Sequence, residues 1–93
     1  MKDTKFKSHF IVLNARGLHT RPSTEIVKCL TKFKSDVALK YKTTRVNGRS
    51  LMGILMLAAE RGSRIEVSAM GDDAEQAVNA MLLLAKNQFY IKY

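Results

Sequence analysis

Arg64 to Lys86 reads RIEVSAMGDDAEQAVNAMLLLAK, and this stretch decides the fold class. Ile65, Val67 and Ala69 alternate with Arg64, Glu66 and Ser68, the period of a strand with one buried and one solvated face. Asp72 and Glu75 then stand in the Asp-x-x-Glu spacing of a capping box. Beyond them Ala74, Ala77, Val78, Met81, Leu82 and Ala85 trace one apolar face of a helix ending near Gln88. Met70 and Met81 are both placed in the core. A strand wet on one side and followed by an amphipathic helix calls for a sheet covered by helices on one face only.

The same two periods recur upstream. Phe6 to Leu13 alternates with Phe6, Phe10 and Val12 on one side, which predicts a first strand. Pro22 holds Arg21 extended and suits the first turn of a helix. Ile26, Cys29, Leu30 and Phe33 follow at helical spacing, so that helix runs from Thr20 or Pro22 to Phe33. Val37, Leu39 and Tyr41 alternate as a second strand, Lys42 to Thr44 form a turn, and Arg45 to Asn47 a short third strand. Asn47-Gly48 is a turn signal. Ser50 then caps a short helix from Leu51 to about Leu57, and Gly62 closes the connection. The order is βαββαβα, an open-faced α/β (α+β) sandwich of two layers. Which strands pair does not follow from the pattern.

A chain of 93 residues is expected to form a single domain, 1–93, with one modest core. Leu51 to Ala59 is the longest apolar run and is broken by Gly53, so no membrane insertion is expected. MKDTKFKS lacks the apolar core of a signal peptide. Cys29 falls on the apolar side of a helix with no second cysteine to pair with, which fits a reducing, cytoplasmic setting. The net charge of +8 points to acidic partners, or equally to lysines spread over solvated faces, since no block of five or six like charges exists. No His/Cys/Asp cluster has ligand spacing, so neither metal nor cofactor is expected; His9 reads as an ordinary strand residue.

His19 carries the chemistry. It lies between Arg16 and Arg21, after Gly17 and just ahead of Pro22 and a helix. The first N–H groups of a helix have no intrahelical partner, and the positive end of its dipole points there. An anion at that point is stabilised by backbone donors and by arginine together. A neutral imidazole nitrogen is a nucleophile, and ordinary histidine, with a pKa of about 6.5, is largely neutral at pH 7. The site therefore suits reversible phosphorylation of His19 on nitrogen, with Arg21 countering phosphoryl charge and Arg16 helping. Gly17 lets the loop turn closely and leaves His19 open to a partner. The plainer alternative is an exposed cap histidine in a basic loop.

Gly17-Leu18-His19-Thr20-Arg21-Pro22 resembles the active-site signature of the histidine-containing phosphocarrier (HPr) family of the phosphoenolpyruvate-dependent sugar phosphotransferase system. Val46-Asn47-Gly48-Arg49-Ser50-Leu51-Met52-Gly53 is similar to the family's regulatory-serine segment, and Gly62 through Ser68 to Gly71 to its last strand. The resemblance extends to about Phe89. It implies a four-stranded antiparallel sheet covered on one side by three helices. It implies a carrier, not a stand-alone enzyme, in which His19 accepts phosphoryl on Nδ1 from enzyme I and donates it to EIIA components. Arg21 matches the phosphate-stabilising arginine, with Arg16, Gly17 and Thr20 as possible support. Ser50 matches the serine modified in some bacteria by HPr kinase/phosphorylase; a phosphoserine there adds nearly two negative charges beside the docking surface. That docking surface draws on Leu51, Met52, Leu55 and Met56, unless Met52 and Met56 are core or boundary residues. A monomer docking transiently is expected.

Three positions depart from the family pattern. Arg16 replaces a small polar residue, Ser23 replaces alanine and adds a hydroxyl to the first helical turn, and Lys42-Thr43-Thr44 lacks Asn-Gly at the hairpin tip. Residues after Phe89 have no assignment. Two other functions compete with the carrier. One is a signalling adaptor controlled mainly at Ser50, with little or no role in sugar transport. The other is a nucleic-acid-binding module, which the strand Ile65 to Ala69 disfavours because it offers no aromatic ring for base stacking.

Overall fold

The computed structural model describes residues 5–91. In chain order the elements are β1 (Lys5–Ile11), α1 (Thr20–Leu30), β2 (Asp36–Tyr41), β3 (Thr44–Asn47), α2 (Leu51–Met56), β4 (Arg64–Met70) and α3 (Ala74–Lys86), followed by one short turn at Gln88–Tyr90. The predicted βαββαβα order is the observed one. The strands form a single antiparallel sheet in the order β1-β4-β2-β3. β4 lies inside it: Val67 stands opposite Ser8 of β1 and Leu39 of β2.

Side-chain alternation separates the two faces of the sheet. Phe10, Val37, Leu39, Ile65, Val67 and Ala69 point inward and are buried with Ile26 and Leu30 of α1, Ile54 of α2, and Val78 and Met81 of α3. Lys5, Lys7, His9 and Ile11 of β1 are exposed. Met70 is also exposed, at 43%, and this corrects the expectation of a core methionine. Two-residue periodicity decides it: with Ile65, Val67 and Ala69 inward, Met70 falls on the solvated side.

Two polar corners fix the helices. Asp73, not Asp72, occupies the residue before α3, and its side chain does not cap the helix. Its carboxylate accepts instead from the Lys34 N–H (2.9 Å), the Ser35 N–H (2.9 Å) and the Ser35 hydroxyl (2.5 Å). The expected capping box is therefore replaced by a bond to the turn between α1 and β2. At the other corner the Arg49 guanidinium donates to the carbonyls of Leu30 (3.1 Å), Phe33 and Ser35 (2.9 Å). It closes the C-terminal end of α1, where carbonyls lack intrahelical donors and a cation is favoured.

The hairpin between β2 and β3 turns on Lys42 and Thr43, with Tyr41 paired to Thr44. Lys42 adopts φ +56 and its ammonium lies 5.2 Å from the centre of the Tyr41 ring. After α3, the residues Gln88, Phe89 and Tyr90 all have left-handed backbone, at φ +53, +57 and +59. Each such non-glycine residue costs about 1–2 kcal/mol. Burial offsets that cost: Phe89 is 1% exposed and meets Phe10 edge-on at 6.1 Å, while Ile91 is also buried.

Candidate functional site

The loop between β1 and α1 is seated on the chain that leaves α2. The Val12 N–H donates to the Ser63 carbonyl (2.9 Å), the Gly62 N–H to Val12 (2.8 Å), and the Leu18 N–H to Ala59 (2.9 Å). The Gly17 N–H closes a turn onto the Asn14 carbonyl (2.9 Å). Gly17 is required here on two counts. Its φ is +68, and a Cβ would lie 2.2 Å from the Ala59 carbonyl oxygen.

His19 follows in extended conformation (φ −78, ψ −169) as the residue just before α1. Its carbonyl accepts from the Ser23 N–H at 3.1 Å. Pro22 is the third residue of α1, in the first turn, where N–H groups have no intrahelical acceptor and a missing one costs nothing; the Leu18 carbonyl stands one residue ahead of His19, whose own carbonyl is the first to accept from the helix. The buried Ser23 hydroxyl donates to the Leu18 oxygen at 3.1 Å. Ser23, which the sequence marked only as a mild departure, thus stabilises the carbonyl next to His19.

The predicted residues Arg16, Gly17, His19, Thr20 and Arg21 are brought onto one short arc. His19 is half-buried, whereas Arg16, Thr20 and Arg21 are exposed. No acid stands in the first turn of α1. An anion carried by the ring would meet the positive end of the helix dipole, with Arg16 three residues before His19 in the chain and Arg21 two residues after.

Ser50 precedes α2 and caps it as expected: its hydroxyl oxygen accepts from the Gly53 N–H at 2.9 Å. α2 packs against α1, and only Ile54 of α2 is buried. Leu51 is exposed, Leu55 is half-buried, and Met52 and Met56 are 68% and 72% exposed. The two methionines are surface residues, not core, and Met56 offers more surface than Leu55.

The remaining chemistry-bearing groups lie elsewhere. Cys29 is half-buried, and burial pushes its thiol up against a smaller opposing pull from Lys32. Among the described residues no three His, Cys, Asp or Glu side chains are grouped to hold a metal, and no helix is long and apolar enough to cross a membrane.

Residues 6–87 match the family described as PTS HPr component phosphorylation site. The chain belongs to the HPr family. It is similar to the phosphocarrier protein HPr of Xylella fastidiosa (strain 9a5c), with 39% identity over 79 residues, covering 85% of this chain and 89% of that one. Among solved structures, HPr-C-His from Thermoanaerobacter tengcongensis superimposes with a TM-score of 0.89 at 32% identity, over 95% of this chain and 99% of that one. Crh, the Bacillus subtilis catabolite repression HPr, gives a TM-score of 0.64 at 29% identity over 86% and 95% of the two chains. The four-stranded open sheet with three helices is the HPr fold. As an HPr, the chain is a phosphocarrier of the phosphotransferase system and carries phosphoryl groups instead of acting as a stand-alone enzyme.

Sequence reading missed two structural determinants, Asn14 in the loop that leads to His19 and Arg49 at the far end of α1. A signal for Asn14 existed. It continues the inward alternation of Phe10 and Val12, and a polar residue on a buried parity needs partners. For Arg49, no pattern in the chain distinguishes a guanidinium that caps three carbonyls from one in solvent.

Proposed function

We propose that His19 is the phosphoryl acceptor of this HPr, that Arg21 meets the phosphoryl charge, and that Arg16, Gly17 and Thr20 support them. The observation that carries this reading is the half-buried imidazole at the start of α1, flanked on one arc by the two exposed arginines. The P–N bond of the phosphohistidine on enzyme I breaks as a P–N bond forms to Nδ1 of His19. The reverse exchange passes the group to an EIIA component. Such transfer depends on alignment and charge neutralisation. Leu51, Met52 and Leu55, with Met56, present a flexible apolar surface beside that arc on which both partners dock in turn. The protein acts as a single-domain monomer in the cytoplasm, without metal, cofactor, nucleic acid or membrane insertion.

Ser50 favours a second, regulatory layer. Its hydroxyl already accepts a backbone N–H at the start of α2, and a phosphate there would keep that acceptor while adding charge beside Leu51 and Met52. An HPr kinase/phosphorylase is the corresponding partner, and in the adaptor reading this is the main control. Labelling with phosphoenolpyruvate and enzyme I is expected to give stoichiometric, acid-labile phosphate on the parent and on Ser50→Ala, and none on His19→Ala. Incorporation unchanged in His19→Ala refutes the assignment. Labelling by ATP and a serine kinase alone would favour the adaptor.

A further inference from the structure

Asn14 is 0% exposed and bridges two parts of the chain distant in sequence. Its side-chain amide donates to the carbonyls of Gln88 (3.0 Å) and Ile91 (3.1 Å). Both partners are acceptors, so the NH2 group must face them, and the amide has one orientation. Its Oδ1 is buried with no hydrogen-bond partner among the described residues. The donor side alone therefore holds the group. On its main chain, the Asn14 carbonyl accepts the Gly17 N–H that closes the turn leading into His19.

The segment that Asn14 grips is itself under strain. Gln88, Phe89 and Tyr90 are left-handed in succession, and hydrogen bonds from Tyr90 N–H to Asn87 (2.9 Å) and from Ile91 N–H to Gln88 (3.0 Å) close this turn. A run of non-glycine residues in that region persists only where its surroundings over-determine it. Phe89 against Phe10 and the two Asn14 bonds are those surroundings. Phe10, Val12 and Asn14 lie on the one strand extension that ends in the His19 loop.

We propose that Asn14 is a positioning residue for phosphoryl acceptance, through which the left-handed segment Gln88–Tyr90 sets the geometry of the loop that carries His19. This rests on the reading of His19 as acceptor. With the segment held, the Asn14 backbone is fixed, the Gly17 turn is closed and His19 is presented in one orientation. With it released, the turn opens locally while the sheet stays intact, and fewer encounters find the ring aligned. The exposed methionines of α2 are untouched, so docking is unchanged.

The test compares Asn14→Asp, which is isosteric but turns a donor into an acceptor facing two carbonyls, with the double variant Gln88→Gly, Tyr90→Gly. Both of the latter positions are exposed, and glycine relieves their left-handed strain. Amide hydrogen exchange at Gly17 and Leu18 is read against Val67 in β4. Asn14→Asp is expected to speed exchange at Gly17 and Leu18 roughly tenfold with Val67 unchanged, and to lower kcat for phosphoryl acceptance about fivefold with KM for the carrier held. The double glycine variant is expected to slow exchange at Gly17. Exchange that rises equally at Val67 makes Asn14 a mere core residue and overturns the proposal. So does a glycine variant with Gly17 exchange identical to the parent, a result that stands even if Asn14→Asp does not fold. Phosphoryl incorporation persisting in His19→Ala would instead overturn the acceptor assignment, and the exchange data would be unaffected.

Discussion

Ser23→Ala isolates one hydrogen bond with a clear physical reason to matter. The Leu18 carbonyl stands just ahead of α1, Leu18 is buried, and the Ser23 hydroxyl donates to that oxygen at 3.1 Å. Removing the hydroxyl takes a donor from a buried acceptor, a loss of about 1–3 kcal/mol. Alanine returns up to about 0.5 kcal/mol through better helix propensity, so the net loss expected is about 0.5–3 kcal/mol. In a domain of this size each kcal/mol lowers Tm by roughly 4–8 °C. Thr24→Ala is the internal control. Its hydroxyl donates to the Thr20 carbonyl at 2.8 Å, an acceptor inside the helical ladder, and its loss is expected to change stability by no more than about 0.5 kcal/mol. The assay is a thermal melt paired with a urea titration, in which an unchanged slope shows that only stability has moved. A Ser23→Ala protein as stable as its parent would refute the reasoning. It would mean that the Leu18 oxygen is satisfied by some other donor.

Two further outcomes follow from the corners of the fold. Asp73 is held below its ordinary carboxylate value by the Ser35 hydroxyl first and the Lys34 N–H next. Because its folded pKa is depressed, its contribution is complete above about pH 4 and is lost as pH falls through the lowered value. Tm measured from pH 6 to pH 2 should fall more steeply for the parent than for Asp73→Asn, and parallel curves would contradict this. Gly17→Ala places a Cβ 2.2 Å from the Ala59 oxygen at φ +68 and should cost at least about 2 kcal/mol, read by urea unfolding; a loss below half of that would show that the Ala59 segment yields easily.

Much of this architecture was legible in the chain because binary patterning and element period agree. Ile65, Val67 and Ala69 gave β4 and its inward face, and the same alternation, followed one residue further, would have put Met70 in solvent. The family resemblance implied a four-stranded antiparallel sheet, but the order β1-β4-β2-β3 is known only from the structure, since periodicity carries no information about which edges meet. The capping box failed because Asp73 had a stronger use than capping: three donors converge on it from residues thirty-eight or thirty-nine positions away, and local motifs are blind to such partners. The segment after α3 failed for a related reason. Three successive left-handed residues without a glycine contradict every local preference, so only tertiary contacts explain them. At the site, the residue types around His19 were legible, whereas Asn14 and the donor role of Ser23 depended on knowing which carbonyls lay buried nearby.

The strand order β1-β4-β2-β3 has a consequence for how the chain is made. β1 is the first strand made, yet among the described residues its strand partner is β4, the last strand to appear. About fifty residues separate them, so at ribosomal rates of about 5–20 residues per second β1 waits for roughly 3–10 s without a ladder to join. Closing the sheet over that separation is the non-local step that slows such topologies. The His19 loop is seated by the bonds of Val12 to Gly62 and Ser63 and of Leu18 to Ala59, so it too has no seat until that stretch, just ahead of Arg64–Met70, has emerged.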